Sequence, residues 1–185
     1  VVRDAFDKEE ITTLDGKMRT LSNRDIVITD GEKAVCIAGV MGGFNTEVDT
    51  NTKNILIESA IFDAVSIRYT ASTLNLRSEA SIRYGKGLNY EYTKNAIDRA
   101  CYLLEKYANA KVLTGMVVHD TLEKKEKVVK FKACDINKLL GITISTDDMK
   151  VELGRLDFDY KLDGEEFTVN IPNRRLDIDP NVNDI

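Results

Sequence analysis

The sequence is poor in several residue types that carry chemistry or stabilise small folds. Among its 185 residues there is no tryptophan, one histidine, two prolines and three cysteines. Cys36, Cys101 and Cys134 are odd in number, widely spaced and outside any CxxC pair, which argues against a disulfide framework or a zinc site. We therefore expect reduced thiols and a cytoplasmic location.

The scarcity of histidine restricts the catalytic chemistry that the sequence supports. His119 lies far along the chain from the cluster of glycine and polar residues described below, and no Ser-His-Asp or Cys-His arrangement accompanies it. Covalent catalysis is therefore poorly supported, and a structural role is the simpler interpretation of His119.

Long apolar runs and an excess of positive charge are also absent. No apolar run approaches the roughly 20 residues that cross a bilayer, and no signal peptide opens the chain, so we expect no membrane partner. The net charge of −5 argues against a surface that coats nucleic acid, although Arg68, Arg77, Arg83 and Lys86 would allow a local basic patch. The strand-like start, VVRDAF, and the abrupt end, NVNDI, indicate a piece of a longer protein.

The first part of the chain has the pattern of several strands combined with helices. Asp30-Gly31 is a hairpin turn between two β-rich runs, and Asp63 is a candidate N-cap for a helix. The predicted elements, in order, are strands at 25–30, 33–39 and 54–60, helices at 63–76 and 89–108, and a strand at 111–119.

The sequence after residue 120 indicates a smaller second module. The charged stretch TLEKKEKVVK (121–130) is typical of a linker. The elements predicted after it are a strand at 128–132, helices at 135–141 and 147–156, and a hairpin of 157–163 and 165–171 around Gly164. We thus predict an α+β protein, with a mixed-sheet module and packed helices over 1–122 and a small winged-helix-like module over 123–185.

The candidate functional residues are concentrated in three blocks. The first, CIAGVMGG (36–43), places Gly39 and Gly42 directly after a predicted strand. Glycine there suits a close approach of backbone to a ligand, although a plain turn is the simpler alternative. The block is neither GxGxxG nor a phosphate loop, so nucleotide binding has little support.

The other two blocks supply an acid and small residues. ILIESAIF (55–62) contains one carboxylate, Glu58, and alternation puts Leu56, Glu58 and Ala60 on one strand face. Such a carboxylate is either buried with a function or a partner, or faces water at a sheet edge. LRSEASIRYGKG (76–87) places Ser78 and Ala80 near a predicted helix start, where an anion or a carbonyl oxygen is favoured.

In this order and spacing, the three blocks resemble the editing module of the bacterial phenylalanyl-tRNA synthetase beta chain. DINKLLG, LGRLDF and VNIPNRRLDI resemble the module that follows editing in that subunit, so the resemblance covers nearly the whole chain. It implies an α+β editing module and a winged-helix-like module. It also implies a ligase of α2β2 assembly that uses ATP and magnesium and whose partners are the alpha subunit and the acceptor end of phenylalanine tRNA.

The same resemblance assigns roles to individual residues. Glu58 would recognise the phenol of a tyrosine or tyrosyl ester, Gly39 and Gly42 would form the floor of the editing pocket, and Ser78 and Ala80 would line its wall. Ser78 stands where many family members carry threonine, and so keeps the hydroxyl. No cofactor is expected in this pocket.

Two further implications concern the histidine and the metal of the family. The family's editing histidine lies upstream of the segment where this chain begins, so recognition is expected here without the full hydrolytic site. Asp177 of RRLDI matches a carboxylate that the family associates with magnesium, and Asp184 lies near a second such position.

Two functions therefore stay open. The chain is either the editing site that hydrolyses tyrosine misattached to phenylalanine tRNA, or a non-catalytic scaffold and RNA-contact part of the same subunit. A site that hydrogen-bonds a hydroxyl rejects the analogue lacking it by roughly 10⁴ to 10⁵, which suits Glu58. DNA binding by the second module is weakly supported, because helix 147–156 carries three acids against two cations.

Overall fold

The computed structural model describes residues 1–180 and divides the chain into two units, the first of which is Val1–Lys111. The mixture of sheets and helices confirms the predicted α+β class. The first unit contains strands β1 (Val2–Asp4), β2 (Glu10–Thr12), β3 (Met18–Thr20), β4 (Ile26–Thr29), β5 (Ala34–Ile37) and β6 (Met41–Gly42), a 3-10 turn (Phe44–Thr46), and helices α1 (Ala64–Thr73), α2 (Glu79–Tyr84) and α3 (Tyr92–Ala108).

The main sheet of the first unit has the strand order β1-β4-β5-β6, and every neighbouring pair is antiparallel. The predicted hairpin at Asp30-Gly31 is confirmed: the Asp30 carboxylate accepts hydrogen bonds from the backbone N–H groups of Glu32 and Lys33, both at 2.9 Å. Val27 and Ile37 are register partners, and both are fully buried together with neighbours from α1. The core of this unit therefore lies between one face of the sheet and α1.

Helix α1, which packs against this sheet, has a side-chain cap at its N-terminus. Asp63 caps α1 by accepting a 2.8 Å hydrogen bond from the N–H of Ser66. The helix ends at Thr73, three residues before the predicted end, and Asn75 beyond it adopts a left-handed conformation with φ of 46°.

The buried carboxyl of Asp25 links α1 to the loop before β4 by hydrogen bonds. Asp25 is 1% exposed and accepts hydrogen bonds from the Thr70 hydroxyl at 2.6 Å and from the N–H and hydroxyl of Ser22 at 2.8 and 3.0 Å. Because burial of an unpaired polar group is costly, these bonds fix the loop before β4 against α1.

Two strand predictions are wrong. Residues 54–60 and 111–119 have no regular secondary structure, and Leu56 and Val117 are both 100% exposed. A strand needs a neighbour to satisfy its backbone N–H and C=O groups, and neither segment has such a neighbour among the described residues. The alternation in 54–60 therefore does not place Glu58 on a sheet face.

The second unit begins at Val112 and contains the elements predicted for the smaller module. They are β7 (Lys127–Lys132), α4 (Ala133–Leu140), α5 (Thr146–Arg155), β8 (Asp159–Asp163) and β9 (Glu166–Ile171), with the sheet order β7-β9-β8. Phe167 is fully buried and stacks on Phe131 with a centroid separation of 5.0 Å. The last residues of the predicted linker, 127–130, belong to β7. The predicted boundary between the two modules, after residue 122, stays a prediction.

None of the helices within residues 1–180 combines the length and apolar character that would let it cross a bilayer.

Candidate functional site

A cavity of about 350 Å³ opens in the first unit, and all five predicted pocket residues line it: Gly39, Gly42, Glu58, Ser78 and Ala80. Its volume lies near the lower end of the range of roughly 300 to 1,000 Å³ typical of small-molecule sites. The structure thus brings together residues from three separate sequence blocks around a space suited to one small ligand.

One side of the cavity comes from the sheet. Cys36 on β5 is the register partner of both Ile28 on β4 and Gly42 on β6. Directly opposite residues project to the same face of a sheet, so these three form a row along the cavity floor. Their opposite-facing neighbours, Val27 and Ile37, belong to the core.

Close packing explains the two glycines of the floor. Gly39 has φ of +64°, and a Cβ atom there would lie 2.9 Å from Ile67 Cδ1 and 3.3 Å from Phe62 Cδ2. A Cβ atom on Gly42 would lie 3.2 Å from Leu14 Cδ1. A side chain at either position would displace a cavity-lining or core residue.

The opposite wall is the start of α2. The Ser78 hydroxyl accepts a 3.0 Å hydrogen bond from the N–H of Ser81, and the Ser81 hydroxyl accepts one of 2.9 Å from the N–H of Ser78, which completes a capping box. The Ser78 hydroxyl also donates to the carbonyl of Val40 at 2.5 Å. This bond joins the helix start to the glycine turn, so the hydroxyl has a structural role within the wall.

The acid reaches the cavity from the irregular segment before α1. Two hydrogen bonds hold this segment: Ser59 Oγ donates to the carbonyl of Thr93 at 2.9 Å, and the Tyr84 hydroxyl donates to the carbonyl of Ala60 at 3.1 Å. Within residues 1–180 the Glu58 carboxyl itself has no hydrogen-bond or ion-pair partner. It lies at the cavity, open to solvent and available to a ligand.

The electrostatics of the cavity favour neutral polar groups. Glu58 is exposed as a residue, but partial desolvation of its carboxyl at the cavity raises its pKa above that of an ordinary glutamate. Burial, together with the negative charge of Glu58, raises the pKa of the Cys36 thiol to about 11. The same causes, with a contribution from Cys36, raise the pKa of Tyr84. At neutral pH Cys36 is therefore a thiol, which is a poor nucleophile.

Cys36, Phe62 and Tyr84 are three of the lining residues that sequence reasoning missed. Two of them carried a signal. Tyr84 stands four residues after Ala80 and so shares its helix face, and Cys36 opens the first of the three blocks. Phe62 lies 5.5 Å from Tyr84 between ring centroids, a proximity that no local pattern indicates.

Two of the four residues of the predicted basic patch interact with other groups of the protein. The Arg68 guanidinium donates to the carbonyl of Gly85, and Arg83 lies 3.8 Å from the carboxylate of Glu79. Arg77 and Lys86 are exposed and have no ion pair within the described chain. His119 is exposed and does not line the cavity.

The described residues do not form a magnesium site around Asp177. The Arg175 guanidinium donates to both Asp177 carboxylate oxygens, at 2.9 and 2.7 Å, and holds the pKa of that carboxyl down at about 2. No group of three or more His, Cys, Asp or Glu residues within 1–180 is arranged to hold a metal ion. Asp184 lies outside the described residues.

Comparisons with known proteins agree with this two-unit organisation. The family model described as "B3/4 domain" matches residues 1–109, and the one described as "tRNA synthetase B5 domain" matches residues 129–183. Phenylalanine–tRNA ligase beta subunits of Staphylococcus haemolyticus (strain JCSC1435) and of Staphylococcus aureus (strains bovine RF122 / ET3-1 and MRSA252) are each 46% identical over 178 residues. The matched region is 96% of this chain and 22% of each relative, so the chain spans about a fifth of their length. The resemblance to the synthetase beta chain is thereby confirmed.

Proposed function

The chain belongs to the B3/4 domain family, and from this premise we propose that its cavity is the recognition half of an editing site. The site would select tyrosine that has been attached in error to phenylalanine tRNA. The chain would act as part of a phenylalanine–tRNA ligase beta subunit, the protein that its relatives represent.

The observation that carries the proposal is the carboxyl of Glu58, which has no partner among residues 1–180 and lies at a mostly apolar cavity. Tyrosine and phenylalanine differ by one hydroxyl group. A ligand phenol would give Glu58 the hydrogen bond that the protein does not supply, whereas a phenylalanine ring would leave the carboxyl desolvated and unpaired. Discrimination in favour of tyrosine follows from that difference.

The remaining lining residues fit an aromatic ring. Ile28, Leu14 and Phe62 supply apolar surface, and the side-chain-free positions Gly39 and Gly42 leave room beside them. We propose that the ring lies over the glycines, with Ser78 and Ala80 along its edge.

The longer enzyme would attach phenylalanine to its tRNA in the cytoplasm, using ATP and magnesium, in an α2β2 assembly with its alpha subunit. The acceptor end of the tRNA would deliver the misattached amino acid to the cavity. No step in editing is assigned to a metal, since the described donors around Asp177 do not fit one.

A second function, recognition and scaffolding without hydrolysis, is favoured by a specific observation. Among the described residues, those that line the cavity include no activated nucleophile, because the Cys36 thiol has a pKa of about 11 and His119 does not line the cavity. Assaying this chain alone on tyrosyl-tRNA separates the two functions: deacylation supports a complete editing site, and binding without deacylation supports recognition only.

The test of the proposal is Glu58→Ala in the enzyme that contains this chain. Loss of a hydrogen bond to a charged group is worth about 1.5 to 3 kcal/mol, or roughly 10- to 150-fold, so deacylation of tyrosyl-tRNA should fall by that factor. Glu79→Ala is the matched control, because Glu79 is an exposed acid on α2 that does not line the cavity. Unchanged deacylation by Glu58→Ala would overturn the proposal.

Ala80→Trp tests the location of the ligand independently. The indole would fill the cavity next to the wall, so tyrosine should no longer bind. A crystal soaked with tyrosine that still shows the ligand in the cavity of this variant would contradict the assignment.

A further inference from the structure

We propose that Tyr84 is a positioning residue that holds Glu58 in the cavity and thereby sets the selectivity for a phenol over a phenyl ring. The inference rests on the proposed function, since it assumes that Glu58 contacts the ligand.

The acid needs such support because no strand holds it. Glu58 follows Ile55 and Leu56, which are 51% and 100% exposed, in a segment without regular secondary structure. A carboxyl on an unsupported segment would lose conformational entropy on binding a ligand, which weakens recognition. Whatever fixes the backbone next to Glu58 therefore contributes to selectivity.

Tyr84 contacts this segment on both sides of Ile61. Its hydroxyl donates to the carbonyl of Ala60 at 3.1 Å, and its ring lies 5.5 Å from that of Phe62, with 45° between the ring planes. Glu58 is also near enough for its charge to act on the Tyr84 hydroxyl. Tyr84 is thus a direct link between the acid-bearing segment and α2.

The helix that carries Tyr84 is itself anchored to the cavity. Its capping box at Ser78 and Ser81 fixes the first turn, and Ser78 is bonded to Val40 in the glycine turn. Tyr84 lies four residues beyond Ala80, on the same helix face. A series of contacts therefore connects the glycine turn on the cavity floor to α2, and α2 to the segment that carries Glu58.

The Tyr84 hydroxyl proton is used within the protein. Because it is donated to the Ala60 carbonyl, Tyr84 does not supply that proton to a ligand, and its effect on binding is exerted through the segment. This distinguishes a positioning residue from a second ligand contact.

The experiment is a double-mutant cycle of Tyr84→Phe and Glu58→Ala in the full chain, with L-tyrosine and L-phenylalanine as calorimetric probes. Tyr84→Phe keeps the ring and removes one hydrogen bond, worth about 0.5 to 1.5 kcal/mol, or roughly two- to tenfold. We expect tyrosine to bind more weakly by that factor and phenylalanine to bind unchanged. In the Glu58→Ala background, Tyr84→Phe should have no effect on selectivity.

Backbone 15N NMR order parameters of residues 57–61 give a second readout that needs no ligand. They should fall in Tyr84→Phe, while those of β4 and β5 stay unchanged. Tyr102→Phe is the matched control, because Tyr102 is exposed on α3 and does not line the cavity.

The outcomes separate this inference from the proposed function. Equal weakening of both ligands by Tyr84→Phe, or unchanged order parameters at 57–61, overturns the positioning role. If Glu58→Ala alters selectivity and Tyr84→Phe does not, only the positioning role fails. If Glu58→Ala leaves selectivity unchanged, the proposed function fails, and the inference fails with it.

Discussion

Replacing Gly39 by alanine tests whether the turn beneath the cavity requires a position without a side chain. Gly39 has φ of +64°, and an added Cβ atom would lie 2.9 Å from Cδ1 of Ile67, a fully buried core residue. The left-handed backbone costs an alanine about 1 to 2 kcal/mol, and overpacking a core adds about 1 to 3 kcal/mol. Reduced freedom of the unfolded chain offsets about 0.5 kcal/mol.

We therefore expect Gly39→Ala to lower the free energy of unfolding of the first unit by about 2 to 4 kcal/mol. Gly16→Ala is the matched control, since Gly16 has φ of +74° but a Cβ atom there would meet nothing within 4 Å. The control should show the backbone cost alone, about 1 kcal/mol.

Amide hydrogen exchange in β5 and β6 measures this free energy for the first unit, separately from the second. The double variant with Ile67→Val removes the Cδ1 atom that the alanine would touch, and should recover part of the loss after correction for Ile67→Val alone. If Gly39→Ala is no more destabilising than Gly16→Ala, the close packing around the turn is not a constraint and the reasoning fails.

Three further predictions concern single groups of the cavity. With a thiol pKa of about 11, Cys36 should be about 0.1% thiolate at pH 8, so iodoacetamide should modify the exposed Cys134 first; faster labelling of Cys36 would contradict the buried environment. Ser78→Ala removes a helix cap and the bond to Val40, so it should destabilise the first unit by about 1 to 3 kcal/mol, while Ser78→Thr should cost less; equal losses would argue against a role for the hydroxyl. Because burial raises the pKa of Glu58 in the folded chain, the folded state binds this proton more tightly, and stability should fall as pH rises from the ordinary glutamate pKa through the raised value. Glu58→Gln should flatten that part of the urea-unfolding profile, and an unchanged profile would refute the burial effect.

Features with local signals were predictable from the sequence. The hairpin at Asp30-Gly31, the cap of α1 at Asp63 and the termination of α4 at Gly141, which has φ of +68°, all depend on residues within a few positions of one another. For the same reason the hairpin at Gly164 appeared where it was expected. These signals were sufficient for the α+β class.

The failures involve pairing between distant segments. Residues 54–60 have the composition of a strand, but composition does not specify a ladder partner, and the segment is irregular. The helix predicted at 89–108 is present as α3, yet it has no buried residue. Periodicity indicates which face an element can bury, and tertiary contacts decide whether that face is covered.

The cavity likewise combines features that the sequence indicated with features that depend on contacts between distant segments. The resemblance named Gly39, Gly42, Glu58, Ser78 and Ala80, and all five line one cavity, although their roles toward a ligand are proposals. The hydrogen bond from the Tyr84 hydroxyl to the Ala60 carbonyl could not be predicted, because it joins residues 24 positions apart without a sequence pattern.

A crystal structure of the chain with bound tyrosine would show directly whether Glu58 recognises the phenol. We expect the ring to lie over Gly39 and Gly42, with its phenol oxygen within hydrogen-bond distance, about 2.5 to 3.0 Å, of a Glu58 carboxyl oxygen. A tyrosine bound elsewhere, or in the cavity with its phenol directed away from Glu58, would contradict this expectation.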